Sequence, residues 1–244
     1  MLHFCNGGNL RGGVLLNSPT PVTDLPRRLT AEFLGAALLA MVVVGSGIAA
    51  QTLSPRDVGL ELLENAVVTG CGLYALIVML SGVSGAHFNP VISLASAVWR
   101  QLSWRDATAY VAAQFAGCCA GAVVANVMFA LPTRLSLHHR STGPHLIGEV
   151  VATTGLVLAV FAVQRSGQAH RVPVVVAAYI TAAYFFTSST SFANPAITLG
   201  RMLTRSFAGI APGSVAPFVA AQVVGLALGV VTVGYLYPNR REAT

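Results

Sequence analysis

The chain has 244 residues, of which 55% are hydrophobic and only 9% charged, and its mean hydropathy is +0.70. A soluble domain of that composition lacks the polar residues to cover its surface, so most of the exterior must face lipid. The formal net charge of +6 comes from arginine alone, since the sequence contains no lysine. These arginines stand singly or in two adjacent pairs between apolar runs and form no basic face, which excludes nucleic acid as a partner because electrostatic binding needs clustered cations.

Residues 1–26 are polar and rich in Gly, Asn and Pro, with no apolar run behind a basic start. They do not read as a cleaved signal peptide, and residues 1–28 are expected to form a disordered cytoplasmic tail, with an upstream extension of the reading frame as the alternative for the first 26. Six segments follow that are apolar enough to cross a bilayer, which takes roughly 20 helical residues: 29–50, 62–82, 107–131, 146–163, 172–190 and 214–237. Between the second and third lies Gly-Ala-His-Phe-Asn-Pro-Val-Ile-Ser-Leu-Ala at 85–95. Between the fifth and sixth lies Ser-Phe-Ala-Asn-Pro-Ala-Ile-Thr-Leu-Gly at 191–200. Each Asn-Pro opens an apolar stretch too short to span. Broken segments in corresponding places of two halves point to a site at the bilayer midplane.

The two halves match at three landmarks. Glu32 and Glu149 stand near the starts of the first and fourth spans, 117 residues apart. Asn89 and Asn194 are 105 apart, and Gln114 and Gln222, in the third and sixth spans, are 108 apart. A near-constant offset indicates internal duplication. With three spans per half, the second copy lies inverted in the membrane. The chain therefore divides into a first repeat (29–131), a connecting loop expected outside the cell (132–145), a second repeat (146–238) and a C-terminal tail (239–244). Nine arginines fall on the side of the termini (Arg11, Arg27, Arg28, Arg100, Arg105, Arg165, Arg171, Arg240 and Arg241) and five on the other. That bias places both termini in the cytoplasm. Gly117 with Gly121, and Gly225 with Gly229, form G-x-x-x-G pairs that allow close helix crossings.

The other chemistry-bearing residues make no constellation. Cys71, Cys118 and Cys119 lie in apolar runs, where cysteine acts as a small hydrophobe, and Cys5 lies in the N-terminal tail. His138, His139 and His145 fit no helical zinc motif and read as a solvated loop. No cofactor fingerprint, metal site or catalytic triad is present, so no enzyme is expected.

Paired Asn-Pro boxes, six spans, Ala-Glu-Phe-Leu-Gly at 31–35 and Ser-Gly-Ala-His-Phe-Asn-Pro at 84–90 together resemble the aquaporin (major intrinsic protein) family, over about residues 29–238. The resemblance implies an all-α membrane protein with six transmembrane helices plus two half-helices in an inverted 3+3 repeat. It implies a homotetramer with one pore per subunit, in the inner (plasma) membrane, with the lipid bilayer, small neutral solutes and water as partners. Proline suits the first turn of each half-helix, and asparagine is a good N-cap. The pore boxes are then Asn89, Pro90, Val91 and Asn194, Pro195, Ala196. In this family the cap is shared between the loops, leaving amide N–H groups for the permeant. Both half-helices aim their positive ends at the midplane and repel cations, a recognised device of aquaporin-type pores. Val91 stands where the first box usually has alanine, and only a slight effect on loop packing is expected. Glu32, Glu149, His87, Gln114 and Gln222 are implied as buried scaffold, against the alternative that the intramembrane carboxylates relay protons.

The chain departs from most of the family three residues after the second asparagine, where Ile197 replaces an arginine. Arg201 and Arg205 come one and two turns later, too far along to occupy the same spot. By the same alignment the rest of the selectivity filter is Thr69, Ala182 (or a neighbour, Thr181 or Ala183) and Ser191. This predicts a wide, uncharged, half-apolar filter with poor water selectivity. The run at 194–199 followed by Arg205–Ile210 resembles a bacterial aquaglyceroporin branch linked to arsenic resistance. The expected function is a passive channel for glycerol-like polyols and neutral metalloid hydroxides such as arsenous acid or methylated arsenicals, with some water permeability. A water-selective pore and a proton-coupled transporter working through Glu32 and Glu149 are the alternatives.

Overall fold

The computed structural model describes residues 24–238. The remainder of both expected tails, with Cys5, Arg11, Arg240 and Arg241, lies outside the described residues. Eight α-helices follow in order: α1 (Leu25–Leu53), α2 (Val58–Ser84), α3 (Pro90–Val98), α4 (Trp104–Met128), α5 (Gly143–Arg165), α6 (Val172–Phe186), α7 (Pro195–Gly200) and α8 (Pro212–Leu236). Six are apolar and long enough to cross a membrane, α6 with the 3₁₀ turn before it. The other two, α3 and α7, are the half-helices. Six crossings return the chain to the side it started from. That side is called proximal here, and the opposite side distal.

Most boundaries follow from local chemistry. α1 begins at Leu25, inside the expected tail, because Pro26 fits a first turn. α2 is capped by the Asp57 carboxylate, which accepts from Leu60 N, and it ends at Gly85 with φ 88°. α6 stops at Phe186, four residues short of the expected 190. The Thr-Ser-Ser-Thr run at 187–190 favours local side-chain bonding over helix: Ser191 N donates to Ser189 Oγ at 3.2 Å.

Packing repeats between the halves. α1 crosses α4 and α2 as α5 crosses α8 and α6, and α2 meets α6 at the seam. The G-x-x-x-G pairs sit at the two equivalent crossings. A Cβ on Gly117 or Gly121 would collide with the Phe33 or Ala37 carbonyl of α1, and one on Gly225 would lie 2.7 Å from Val150 O of α5. Lipid supplies no hydrophobic drive between helices, so such close approach is what dispersion contacts require. The half-helices are exchanged between repeats: α7 packs on α4 as well as on α8, and α3 on α8 as well as on α4. The two Asn-Pro boxes thereby meet at the centre.

Candidate functional site

Each box is built by the same backbone turn. Gly85, Ala86 and Phe88 take φ of 88°, 52° and 47°; Thr190, Ser191 and Ala193, each 105 residues later, take 62°, 50° and 46°. Non-glycine residues hold left-handed angles only where their surroundings over-determine them. Here the determinant is a buried carboxylate. Glu32, fully buried, accepts from His87 N (3.0 Å), Phe88 N (2.8 Å), Ser84 Oγ (2.6 Å) and Gln114 Nε2 (2.7 Å). Glu149, also fully buried, accepts from Phe192 N and Ala193 N (2.9 Å each) and from Gln222 Nε2 (2.6 Å). A buried charge is tolerable only when donors surround it in this way. Each glutamine also donates to a hydroxyl on its half-helix: Gln114 to Ser93 and Gln222 to Thr198, both at 2.9 Å.

With the loops braced, the asparagines face one another. Asn89 Oδ1 caps α3 by accepting from Val91 N, and its Nδ2 donates to Ala193 O at 2.8 Å. Asn194 Oδ1 caps α7 by accepting from Ala196 N and Ile197 N, and its Nδ2 donates to Phe88 O at 2.9 Å. Each asparagine thus caps its own helix and ties down the other loop. One amide hydrogen on each is left without a protein acceptor among the described residues. Pro90, Val91, Pro195 and Ala196 are buried behind them. Val91 replaces alanine without disturbing the cap.

Both asparagines line a cavity of about 100 Å³. Its wall is apolar on the spans, as at Leu73, Val160 and Ile180, and polar along the loops. His87 is half-buried in this wall. Its Nδ1 lies 3.1 Å from Ser93 Oγ, and its ring packs edge-on against Tyr110.

The expected filter is partly assembled and partly wrong. Thr69, Ser191 and Ile197 share the distal part of the wall. Ala182 does not join them: it is exposed on the outer face of α6. Ile180 and Tyr184, one turn apart, face the cavity. A residue midway between them is turned about 200° away at 100° per residue. The alternatives also fail. Thr181 Oγ1 donates to Ala177 O and packs where a Gly70 side chain would be, and Ala183 is buried without lining the cavity. The α6 residue in the wall is Tyr184, whose hydroxyl meets Thr69 Oγ1 at 3.1 Å. It is an aromatic where only small side chains were expected.

The wall is not uncharged either. Arg201 is 2% exposed and lines the cavity, its guanidinium carbon 3.4 Å from the Phe192 ring centroid. Arg205 stays outside, donating to Leu135 O at 3.0 Å. Arg140, from the connecting loop, is buried beside the same Phe192 ring and donates to Gly209 O (2.8 Å) and Phe207 O (2.9 Å). Burial pushes its pKa down to about 10, which leaves it charged at neutral pH. The expected loop at 132–145 is therefore only partly solvated, and α5 already begins at Gly143. His138 O accepts from Ala211 N, while His145 Nδ1 pairs with Thr142 Oγ1 at 2.9 Å, so these histidines serve local structure.

Sequence reasoning missed Tyr184 and Phe192, and it set Arg201 aside. It also missed the hydroxyls Ser84, Ser93 and Thr198. The 105-residue offset that pairs the asparagines also pairs Ser93 with Thr198 and could have found them.

Known proteins resemble this chain in sequence and in fold. The profile of the major intrinsic protein family matches residues 22–191. The chain is 45% identical over 221 residues to aquaglyceroporin AqpS of Rhizobium meliloti (strain 1021), covering 89% of this chain and 93% of that protein. It is 32% identical over 208 residues to aquaporin NIP1-4 of Oryza sativa subsp. japonica, covering 82% of this chain and 73% of the relative. The fold superposes on the X-ray structure of the aquaglyceroporin from Plasmodium falciparum with a TM-score of 0.66 at 19% identity, over 89% of this chain and 97% of that one. The chain belongs to the major intrinsic protein family.

Proposed function

We propose that this protein is a passive channel for small uncharged solutes, with some water permeability. The observation that carries this reading is the central cavity, with facing Asn89 and Asn194 amides on one side and an apolar wall on the other. A glycerol-like polyol sets its hydroxyls against the loops and its carbon backbone against the spans. A neutral tri-hydroxy metalloid such as arsenous acid, or a methylated arsenical, offers the same pattern of hydroxyls around a small centre. The AqpS relative is named an aquaglyceroporin, in keeping with a polyol-sized permeant.

The filter of this channel is Thr69, Tyr184, Ser191 and Ile197, without an arginine at the box position. Glu32 and Glu149 serve as scaffold: among the described residues their oxygens accept from loop backbone N–H groups, the Ser84 hydroxyl and the two glutamine amides, and no titratable side chain donates to either. Exposed Leu, Val and Phe side chains on the spans, such as Leu63, Val78 and Phe185, face lipid or sister subunits of a homotetramer. The termini face the cytoplasm and the distal mouth faces outward, across the inner membrane.

Stopped-flow light scattering on proteoliposomes tests this, comparing water, glycerol and arsenous acid for the native chain and Ile197→Arg. Solutes should pass the native protein rapidly. The arginine should cut their flux several-fold more than that of water, because it fills a wall now formed by a short apolar side chain. Water flux alone in the native protein would leave the alternative of a water-selective pore.

A further inference from the structure

The box position that usually carries arginine holds Ile197, yet the distal mouth has a cation. We propose that Arg201 is the charge-selective residue of the pore and its first donor to an entering solute, with Arg140 as the residue that positions it. The proposal rests on the channel reading above.

Three observations carry it. Arg201 comes one helical turn beyond Ile197 and still lies in the cavity wall, almost fully buried. Its Nε donates to Ala208 O, and no protein acceptor is recorded for its two terminal nitrogens among the described residues. No carboxylate lies within ion-pair distance of it either: the ion pairs among the described residues are Arg27–Asp24 and Arg28–Asp106, on the proximal side. A buried guanidinium with unpaired terminal N–H groups is costly unless something from the pore satisfies them. A solute oxygen does so, as a hydroxyl of a polyol or of a metalloid acid. A metal cation or a hydronium ion meets only repulsion.

The positioning is equally specific. Arg201 stacks on the Phe192 ring, and Phe192 N is held by Glu149, so the guanidinium is referenced to the same carboxylate that sets the Asn194 loop. The backbone that receives Arg201 Nε, at Ala208, is pinned on both sides by Arg140 through Phe207 O and Gly209 O. Arg140 thus acts on the mouth through the 207–209 segment.

The test uses purified full-length protein in proteoliposomes, reading proton leak with an entrapped pH dye, potassium leak under an imposed potential, and glycerol flux in the same preparation. Arg201→Met should raise proton or potassium leak at least about tenfold and lower glycerol flux without abolishing it, because the charge barrier and the first donor at the mouth are both gone. Arg201→Lys should keep cations out, and adding Ile197→Arg to Arg201→Met should restore exclusion. Arg140→Met should give an intermediate leak, with Arg201 misplaced but present. An unchanged leak in Arg201→Met with glycerol flux intact would overturn the proposal and leave the channel reading standing. Absence of glycerol and water flux in the native protein would instead overturn the channel reading, and the proposal with it. If Arg201→Met does not assemble, Arg201→Gln, which keeps hydrogen bonding without charge, decides: leak supports the proposal and exclusion overturns it.

Discussion

At the scale of single residues, two carboxylates hold the pore open. Glu149 spends both oxygens on N–H donors, two from the loop backbone and one from Gln222. Glutamine in its place must turn an NH₂ group towards one of those donors. A hydrogen bond to a charged group contributes about 1.5–3 kcal/mol, and an unpaired buried donor costs about 1–3 kcal/mol. Glu149→Gln should therefore lower the melting temperature in detergent and abolish solute flux, since the left-handed turn at Thr190, Ser191 and Ala193 loses its anchor. A proton-coupled role would give a different result: normal melting and normal downhill flux, with only the pH-driven component lost.

At the scale of elements, the half-helices are fixed by the crossings behind them. Gly121 lies against the Ala37 carbonyl where α4 crosses α1, with no room for a side chain. Gly121→Leu must push the helices apart, and overpacking of this kind typically costs about 1–3 kcal/mol. Since α4 also carries Gln114 and supports α7, the variant should show a lowered melting temperature together with reduced glycerol flux. Gly143→Ala, where a Cβ meets nothing within 4 Å, should leave both unchanged.

Legibility in the sequence also divides at this scale. Asn89, Asn194, Glu32, Glu149, Gln114 and Gln222 could be found because duplication repeats them at a near-constant offset. Tyr184 could not be found by counting back from Asn194, because that count assumes a fixed loop length. Here α6 ends early, at Phe186, and its inward face is set by the register of Val176, Ile180 and Tyr184. Arg201 was set aside on helix spacing alone. A long side chain stacked on Phe192 and a distal 3₁₀ turn (Arg201–Leu203) after α7 keep it in the wall, and neither is visible from spacing. Arg140 depends on the path of the connecting loop, which no repeat or motif encodes.

At the scale of the whole molecule, the inverted repeat gives a central cavity with a helix N-terminus aimed at its centre from each side and a cationic distal mouth. Inverted repeats also serve transporters, which alternate between two states around a similar midplane site. The decisive property is therefore coupling. Glycerol uptake into proteoliposomes should be measured over a wide concentration range, with and without an imposed pH gradient. A passive pore gives initial rates that rise linearly with glycerol and are the same with the gradient on or off. Uptake that saturates and accelerates, or accumulates glycerol above the outside concentration when the gradient is applied, would contradict the channel and make Glu32 and Glu149 the residues to re-examine.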